Sequence, residues 1–406
     1  MQAVVFHGVG DIRLDDVPEP KMREQSDAIV RITASAICGT DLHMVRGSMG
    51  GMQPGTILGH EGVGVVEAVG RGVRNLKPGD RVVIPSTIAC GDCVYCRAGY
   101  YSQCDRANPN GRMAGAAFYG GPRLSGPFDG LQAERARIPF AHVGPVKLPD
   151  EVTDDQAILL SDMFPTGYFA AELAEVRPGR SLAVFGCGPV GQFAIASAKL
   201  LDAGRILAVD CIPSRLALAR DQGAEVIDFS REDPVQAIRE LTGGTGVDRA
   251  IDAVGVDATR APQGPAAATS QQRSQFEQEQ QELGEERREG PWAPGNSPSQ
   301  ALSWAVQSLA KAGTLSIVGV YPELAQHFPI GLAMNHNLTV RMGGCNHRKY
   351  LPKLIRLVAS GVIHPEKLLT QRETFGDALE AYRAFEQHKP GWIKVELKPA
   401  PARRAA

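Results

Sequence analysis

Gly186-Cys187-Gly188-Pro189-Val190-Gly191 stands between a short apolar run, SLAVFG, and a run with helical spacing, VGQFAIASAKLL. G-x-G-x-x-G alone is a weak signal, but between a strand and a helix it has a definite physical reading. Gly186 permits the tight turn, Gly188 lets the backbone approach a pyrophosphate, and Gly191 lets helix and strand pack closely. The helix N-terminus formed by Pro189 and Val190 then faces the phosphates. Asp210 ends the next apolar run, RILAVD, nineteen residues after Gly191. A carboxylate there accepts hydrogen bonds from ribose hydroxyls and repels a 2′-phosphate, which favours NAD over NADP. Arg215, five residues on, is the opposing feature, because an arginine accommodates that phosphate.

The strand and helix alternation continues through SRLALARDQGA, EVIDF and VDRAIDAVG, and the strand signature returns in GTLSIVGV. This rhythm predicts a doubly wound parallel sheet of Rossmann type with crossover helices. Residues 1 to about 150 differ. Short alternating runs such as AIVRITASAIC and EGVGVVEAVG, broken by turn signals such as KPGD, predict an all-β, barrel-like lobe. Asp154 to Ala174 reads as helical with a kink or turn at Pro165. The expected organisation is a β domain over 1–163, a parallel-sheet domain over 164–345, and a return to the first domain over 346–406. Residues 258–299, rich in Gln, Glu, Ser, Arg, Ala and Pro, form an insertion expected on the surface and partly helical at most. The tail from Lys398 is expected to be unstructured.

The chain has 406 residues, 43% hydrophobic and 22% charged, with net charge −2. This balance fits a globular protein and argues against a general attraction to nucleic acid or anionic membrane. No apolar run reaches the length of a membrane span, and MQAVVFHGVGDIRL lacks the layout of a signal peptide. A cytoplasmic location is the expectation, with the eight cysteines as thiols or metal ligands. Four of them, Cys90, Cys93, Cys96 and Cys104, have the spacing C-x2-C-x2-C-x7-C within about 88–106. Four thiolates so close close a tetrahedral shell around Zn²⁺ and leave no position for substrate, so a structural site is predicted. A zinc ribbon that binds nucleic acid is the alternative, and the charge and glycine motif speak against it.

A second constellation combines Cys38-Gly39-Thr40-Asp41-Leu42-His43 with Gly59-His60-Glu61-Gly62. A catalytic zinc needs three protein ligands and an open position. Cys38 and His60 supply two, and Asp162 in LLSDMFPTGYFA is the candidate third. With CGTDLH, GHEGVGVVEAVG, the cysteine lobe, DMFPTGY and GCGPVG on the page, the chain resembles the zinc-dependent medium-chain alcohol dehydrogenases from the first strand to about Leu397. The resemblance implies a GroES-like catalytic domain beside the Rossmann domain, two zinc ions per chain, NAD, and a homodimer or homotetramer joined through the cofactor-domain sheets. It implies that Cys38 and His60 bind the catalytic zinc, that Glu61 is an alternative or transient ligand, and that Thr40 and His43 relay protons. Gly39, Thr166, Val318 and Val320 fall with the cofactor-binding positions. Many members carry Cys where this chain has Asp162. Asp there is similar to the glutathione-independent formaldehyde dehydrogenase and formaldehyde dismutase branch, which also carries an insertion in the cofactor domain.

The implied activity is hydride transfer between an alcohol or hydrated aldehyde and NAD, of EC 1.1.1 or 1.2.1 type, with no nucleic-acid or membrane partner. A polyol or secondary alcohol dehydrogenase is the alternative, and a non-catalytic NAD-binding relative is the alternative of another class. Cys187, Cys211 and Cys345 lack ligand spacing. His7, His142, His327, His336, His347, His364 and His388 lack a motif, and are expected to be surface or hydrogen-bonded side chains.

Overall fold

The computed structural model describes residues 1–283, 292 and 294–399. The chain divides into two compact units, Met1–Pro165 with Cys345–Ala406, and Thr166–Gly344. The second unit has one parallel sheet. Its strands lie in the order Glu225–Asp228, Ile206–Asp210, Leu182–Phe185, Val247–Asp252, Leu309–Ile317 and Thr339–Met342. This is the order of a doubly wound dinucleotide fold, with the chain reversing direction beside Leu182–Phe185. Leu182 and Val184 pack into one apolar cluster, and Ala183 and Phe185 into another. Both faces of the sheet are therefore covered, which is why its strands read as continuous apolar runs. The strand predicted from GTLSIVGV begins earlier, at Leu309. Its outer neighbour Thr339–Met342 is a four-residue edge strand with too little alternation to be read from sequence.

The first unit is built mainly from antiparallel strands, with Gln371–Thr374 paired in parallel to Val395–Lys398 at one edge. Ala28–Ile37 pairs with Gly62–Val69, Arg135–Ile138 and Val395–Lys398. Val395 stands opposite Ile37, so the C-terminal strand completes the sheet that starts near the N-terminus. A smaller sheet holds the hairpin Gln2–Gly8 and Asp11–Asp16, together with Thr56–Ile57. The cysteine lobe packs with Val82, Ile84, Tyr119 and Leu131 in one apolar cluster of this unit.

One difference from the sequence reading has a physical cause. The helical stretch 154–174 is broken at Asp162, not at Pro165. Helices Asp154–Ser161 and Met163–Leu173 meet at Asp162, whose φ of −142° and ψ of −60° are non-helical. Pro165 lies in the first turn of the second helix, where its missing N–H has no partner to lose. The described part of the insertion agrees with a partly helical surface segment. Ser270–Glu282 is a helix capped by Thr269 and Gln272. Of its thirteen residues only Phe276 and Glu279 are buried. The Glu279 carboxylate accepts from Ser299 Oγ at 2.7 Å and from Ser299 N–H at 3.1 Å, where helix Gln300–Ser308 begins. Residues 284–291 and 293 of the insertion, and the tail from 400, lie outside the described residues.

The glycine turn tests its own packing. Gly186 has φ of +88°. A Cβ at Gly191 would fall on the Gly186 carbonyl oxygen. A Cβ at Gly188 would meet only the Arg215 guanidinium, at 4.0 Å. Gly191→Ala is therefore expected to cost about 2 kcal/mol or more through overpacking. Gly188→Ala is expected to leave stability unchanged. Urea unfolding midpoints of the two variants check this contrast.

Candidate functional site

Cys38 ends the strand Ala28–Ile37 and caps the helix Gly39–Arg46. Its Sγ accepts from Thr40 N–H at 3.4 Å, while Asp41 Oδ2 accepts from Cys38 N–H at 2.9 Å. This reciprocal cap fixes the sulfur at the helix start. The same Asp41 carboxylate reaches His60, with Oδ1 3.1 Å from Nδ1. One buried carboxylate thus positions two candidate ligands. His60 Nε2 lies 3.2 Å from Asp162 Oδ2, and Cys38 Sγ lies 3.8 Å from the same oxygen. Ser161, just before Asp162, accepts from Gly62 N–H at 3.0 Å and donates to the Ile84 carbonyl. These bonds hold the helix break against the strand that follows Glu61.

Ligand atoms of Cys38, His60, Glu61 and Asp162 all lie within 4.8 Å of one another, and all four residues are buried. Burial raises the Cys38 thiol, and His60 opposes the rise. Burial also pushes Glu61 up to about 7, against the pull of the Lys394 ammonium, with which it forms an ion pair. For Asp162, burial is outweighed by the hydrogen bonds from His347 and His60, and the carboxyl lies well below the usual range. Glu61 Oε2 has no hydrogen-bond partner among the described residues although it is buried. A buried carboxylate oxygen without a partner is costly. A dication among these donors would give it a partner and balance the excess of acidic groups. Three donors of Cys, His and Asp type, with a spare carboxylate beside them, fit zinc.

The cysteine lobe fits a metal equally well. Cys90, Cys93, Cys96 and Cys104 are buried with sulfurs within 4.8 Å of one another. Cys93 and Cys104 sulfurs stand 3.9 Å apart. A tetrahedral shell with ~2.3 Å zinc–sulfur bonds places its sulfurs about 3.8 Å apart. Cys90 N–H donates to Cys104 Sγ at 3.2 Å, and Cys96 N–H to Cys93 Sγ at 3.4 Å. Burial works against the Cys93 thiolate, but backbone N–H groups of Cys96 and Asp105 bring that thiol down to about 7. None of the eight cysteines forms a disulfide.

Thr40 and His43 lie on the helix Gly39–Arg46, three residues apart and so on one face. His43 Nδ1 is 3.3 Å from Ser48 Oγ. In the second unit, Gly188 precedes the helix Pro189–Leu200 and leaves its backbone open to a phosphate. Asp210 Oδ2 accepts from Cys187 N–H at 2.7 Å, and Oδ1 accepts from Cys211 and Ile212 N–H at 2.7 and 2.9 Å. The acid therefore also fixes the glycine turn. Arg215 Nη1 is 3.8 Å from Asp210 Oδ2. Val318 and Val320 follow the strand Leu309–Ile317, and Val256 N–H donates to Val320 O at 2.9 Å. Thr166 lies partly buried in helix Met163–Leu173.

Three residues of the first site escaped the sequence reading. His347, expected only to be a surface or hydrogen-bonded side chain, is buried with Nε2 2.6 Å from Asp162 Oδ1 and Nδ1 3.1 Å from Thr87 Oγ1. Burial works against its proton, yet Cys345 and the Asp162 carboxylate carry it up to about 10. Lys394, fully buried, pairs with Glu61 and donates to Ile37 O at 3.0 Å. Asp41 stood inside a quoted motif without a role. The first two lie more than 180 residues from their partners, so no local pattern marks them.

Comparison with known proteins accords with this geometry. Residues 24–150 match the family described as alcohol dehydrogenase GroES-like domain, and residues 189–262 match zinc-binding dehydrogenase. The chain is 36% identical to the uncharacterized zinc-type alcohol dehydrogenase-like protein AdhB of Bacillus subtilis (strain 168), over 98% of this chain and 100% of that one. It is 35% identical to the glutathione-independent formaldehyde dehydrogenase of Pseudomonas aeruginosa, over 96% of each. The solved alcohol dehydrogenase TADH of Thermus sp. ATN1 superposes with a TM-score of 0.80 at 34% identity, covering 98% of this chain and 100% of that one. Among the described residues no helix is long and apolar enough to cross a membrane. With whole-length relatives above 30% identity and with both domain families matched, the chain belongs to the zinc-dependent medium-chain alcohol dehydrogenase family of oxidoreductases.

Proposed function

We propose that the protein is an NAD-dependent zinc dehydrogenase acting on a small alcohol or hydrated aldehyde, with formaldehyde as the leading substrate. The convergence of Cys38, His60 and Asp162, with Glu61 alongside, carries the proposal. Asp162 as third ligand, together with the similarity to the Pseudomonas aeruginosa formaldehyde dehydrogenase, supports the choice of substrate.

Cys38, His60 and Asp162 would hold the catalytic zinc, and the four-cysteine lobe a structural one. Zinc supplies Lewis-acid charge that favours loss of a hydroxyl proton near neutral pH. NAD supplies the hydride acceptor. The remaining work falls to side chains. Thr40 Oγ1 would accept the substrate hydroxyl proton while releasing its own, and His43, one helical turn on, would take up the released proton. Glu61, held by Lys394, stands ready as an additional carboxylate donor. Gly186, Gly188 and Gly191 seat the pyrophosphate, and Asp210 takes the adenosine ribose and disfavours a 2′-phosphate. In aldehyde oxidation the gem-diol presents the same C–H and O–H pair as an alcohol.

The exposed side chains of Ile330, Met334 and Met342, near the edge strand Thr339–Met342, support a homodimer or homotetramer joined at that sheet edge. Light scattering is expected to give two or four times the chain mass of 43.4 kDa, and a monomer would reject this assembly.

Purified protein is expected to carry two zinc ions per chain. Cys38→Ser should lose one of them and at least 10³-fold of its activity. Unchanged zinc content and activity in that variant would reject the catalytic site. Formaldehyde should be turned over with NAD and much more slowly with NADP. Turnover without added NAD, giving equal methanol and formate, would identify a dismutase with retained cofactor. Turnover of polyols or longer alcohols, with none of formaldehyde, would reject the substrate assignment.

A further inference from the structure

We infer that His347 is the positioning residue for Asp162, and that the two form a matched pair required for a carboxylate ligand at this site. The inference rests on the metal-site reading above. The two oxygens of Asp162 have different neighbours. Oδ2 faces His60 Nε2 and Cys38 Sγ, at 3.2 and 3.8 Å, inside the ligand cluster. Oδ1 lies 2.6 Å from His347 Nε2, outside it. An ionised carboxylate only accepts, so His347 must carry its proton on Nε2. Thr87 Oγ1, 3.1 Å from Nδ1, fixes the ring at its other end. Asp162 and His347 are 7% and 3% exposed, so water does not replace these partners.

The placement of His347 is itself over-determined. It opens the helix His347–Ala359, and the residue before it, Asn346, accepts from Ser102 N–H and Ser102 Oγ, both at 3.0 Å. Ser102 lies between Cys96 and Cys104 in the cysteine lobe. Arg348, on the other side, donates to Val143 O at 2.6 Å. The imidazole is thus delivered to Asp162 by a backbone tied to the cysteine lobe.

A carboxylate divides two tasks between two oxygens: Oδ2 serves the ligand cluster and Oδ1 receives the imidazole proton. A cysteine at position 162 has one sulfur for both. A sulfur can still accept an N–H, as in the cysteine lobe at 3.2 and 3.4 Å, but it is a weaker acceptor than the carboxylate oxygen that meets His347 at 2.6 Å. The identity of residue 162 is therefore tied to the identity of residue 347. This physical coupling makes the aspartate more than an interchangeable anion.

The test is a zinc competition titration with a chromophoric chelator on the full-length protein, with the visible spectrum of the cobalt-substituted protein as a second readout. The ion lost in Cys38→Ser defines the catalytic site. His347→Leu is expected to weaken that ion 10–100-fold and to shift the cobalt bands, with the cysteine-lobe ion unchanged. His347→Gln, whose amide still donates, should recover most of the affinity. Asp162→Cys alone should bind that ion poorly, and Asp162→Cys combined with His347→Leu should bind it at least tenfold better than Asp162→Cys. Should His347→Leu fail to fold by circular dichroism, Thr87→Val is expected to weaken the same ion several-fold. If Cys38→Ser loses the ion while His347→Leu, or Thr87→Val in its place, matches wild type in affinity and spectrum, the inference is overturned alone. If Cys38→Ser keeps both ions, the metal-site reading fails and the inference with it.

Discussion

The first unit depends on burying a cluster of groups able to hold a metal ion beside its main sheet. Cys38, His60, Glu61 and Asp162 are all out of water, and Asp41 lies among them with no exposure. Removing charge from water costs several kcal/mol per group unless partners replace the solvent. Three segments of the chain supply such partners. Asp41 caps Cys38 and reaches His60, Lys394 pairs with Glu61, and His347 meets Asp162. These partners come from both ends of the chain. That explains why Cys345–Ala406 belongs to the same unit as the N-terminal strands. The bidentate pair in which Arg46 Nε donates to Glu386 Oε1 at 2.8 Å and Nη2 to Oε2 at 2.5 Å adds another link between the two ends.

In the second unit a single carboxylate has a similar organising role. Asp210 accepts three backbone N–H groups, one from the glycine turn and two from the chain that follows it. The acid that would meet a ribose also holds the turn that would meet the phosphates. The insertion follows the same physics at smaller scale. Its helix has a polar composition that cannot build a core of its own. Phe276 supplies apolar burial, and Glu279 supplies the acceptor that the start of helix Gln300–Ser308 needs. These two buried side chains, with the His327 pair to Glu282, tie down a helix that composition alone reads as padding.

Much of this was legible in the sequence because the signals are local. The glycine turn is one strand, six residues and one helix, and its spacing to Asp210 is set by one crossover. The four cysteines fall within fifteen residues, and all four sulfurs converge. Cys38 and His60 stand in short motifs at strand ends. Where local signals competed, the reading slipped. Pro165 looked like the breaker of the 154–174 helix, yet the break lies at Asp162, whose side chain meets His60 and His347. The edge strand Thr339–Met342 is short and mostly exposed, so it carries no pattern to read.

The sequence by itself determined the two-part architecture, the cysteine cluster, the dinucleotide turn and three candidate ligands, because each is written in spacing between near neighbours. Only the tertiary structure decided who stands behind those ligands. His347 and Lys394 reach their carboxylates across 185 and 333 residues of chain. Such pairings arise when a C-terminal strand and helix fold back against the first sheet. A buried charge requires a partner, but only the folded chain determines which residue provides it.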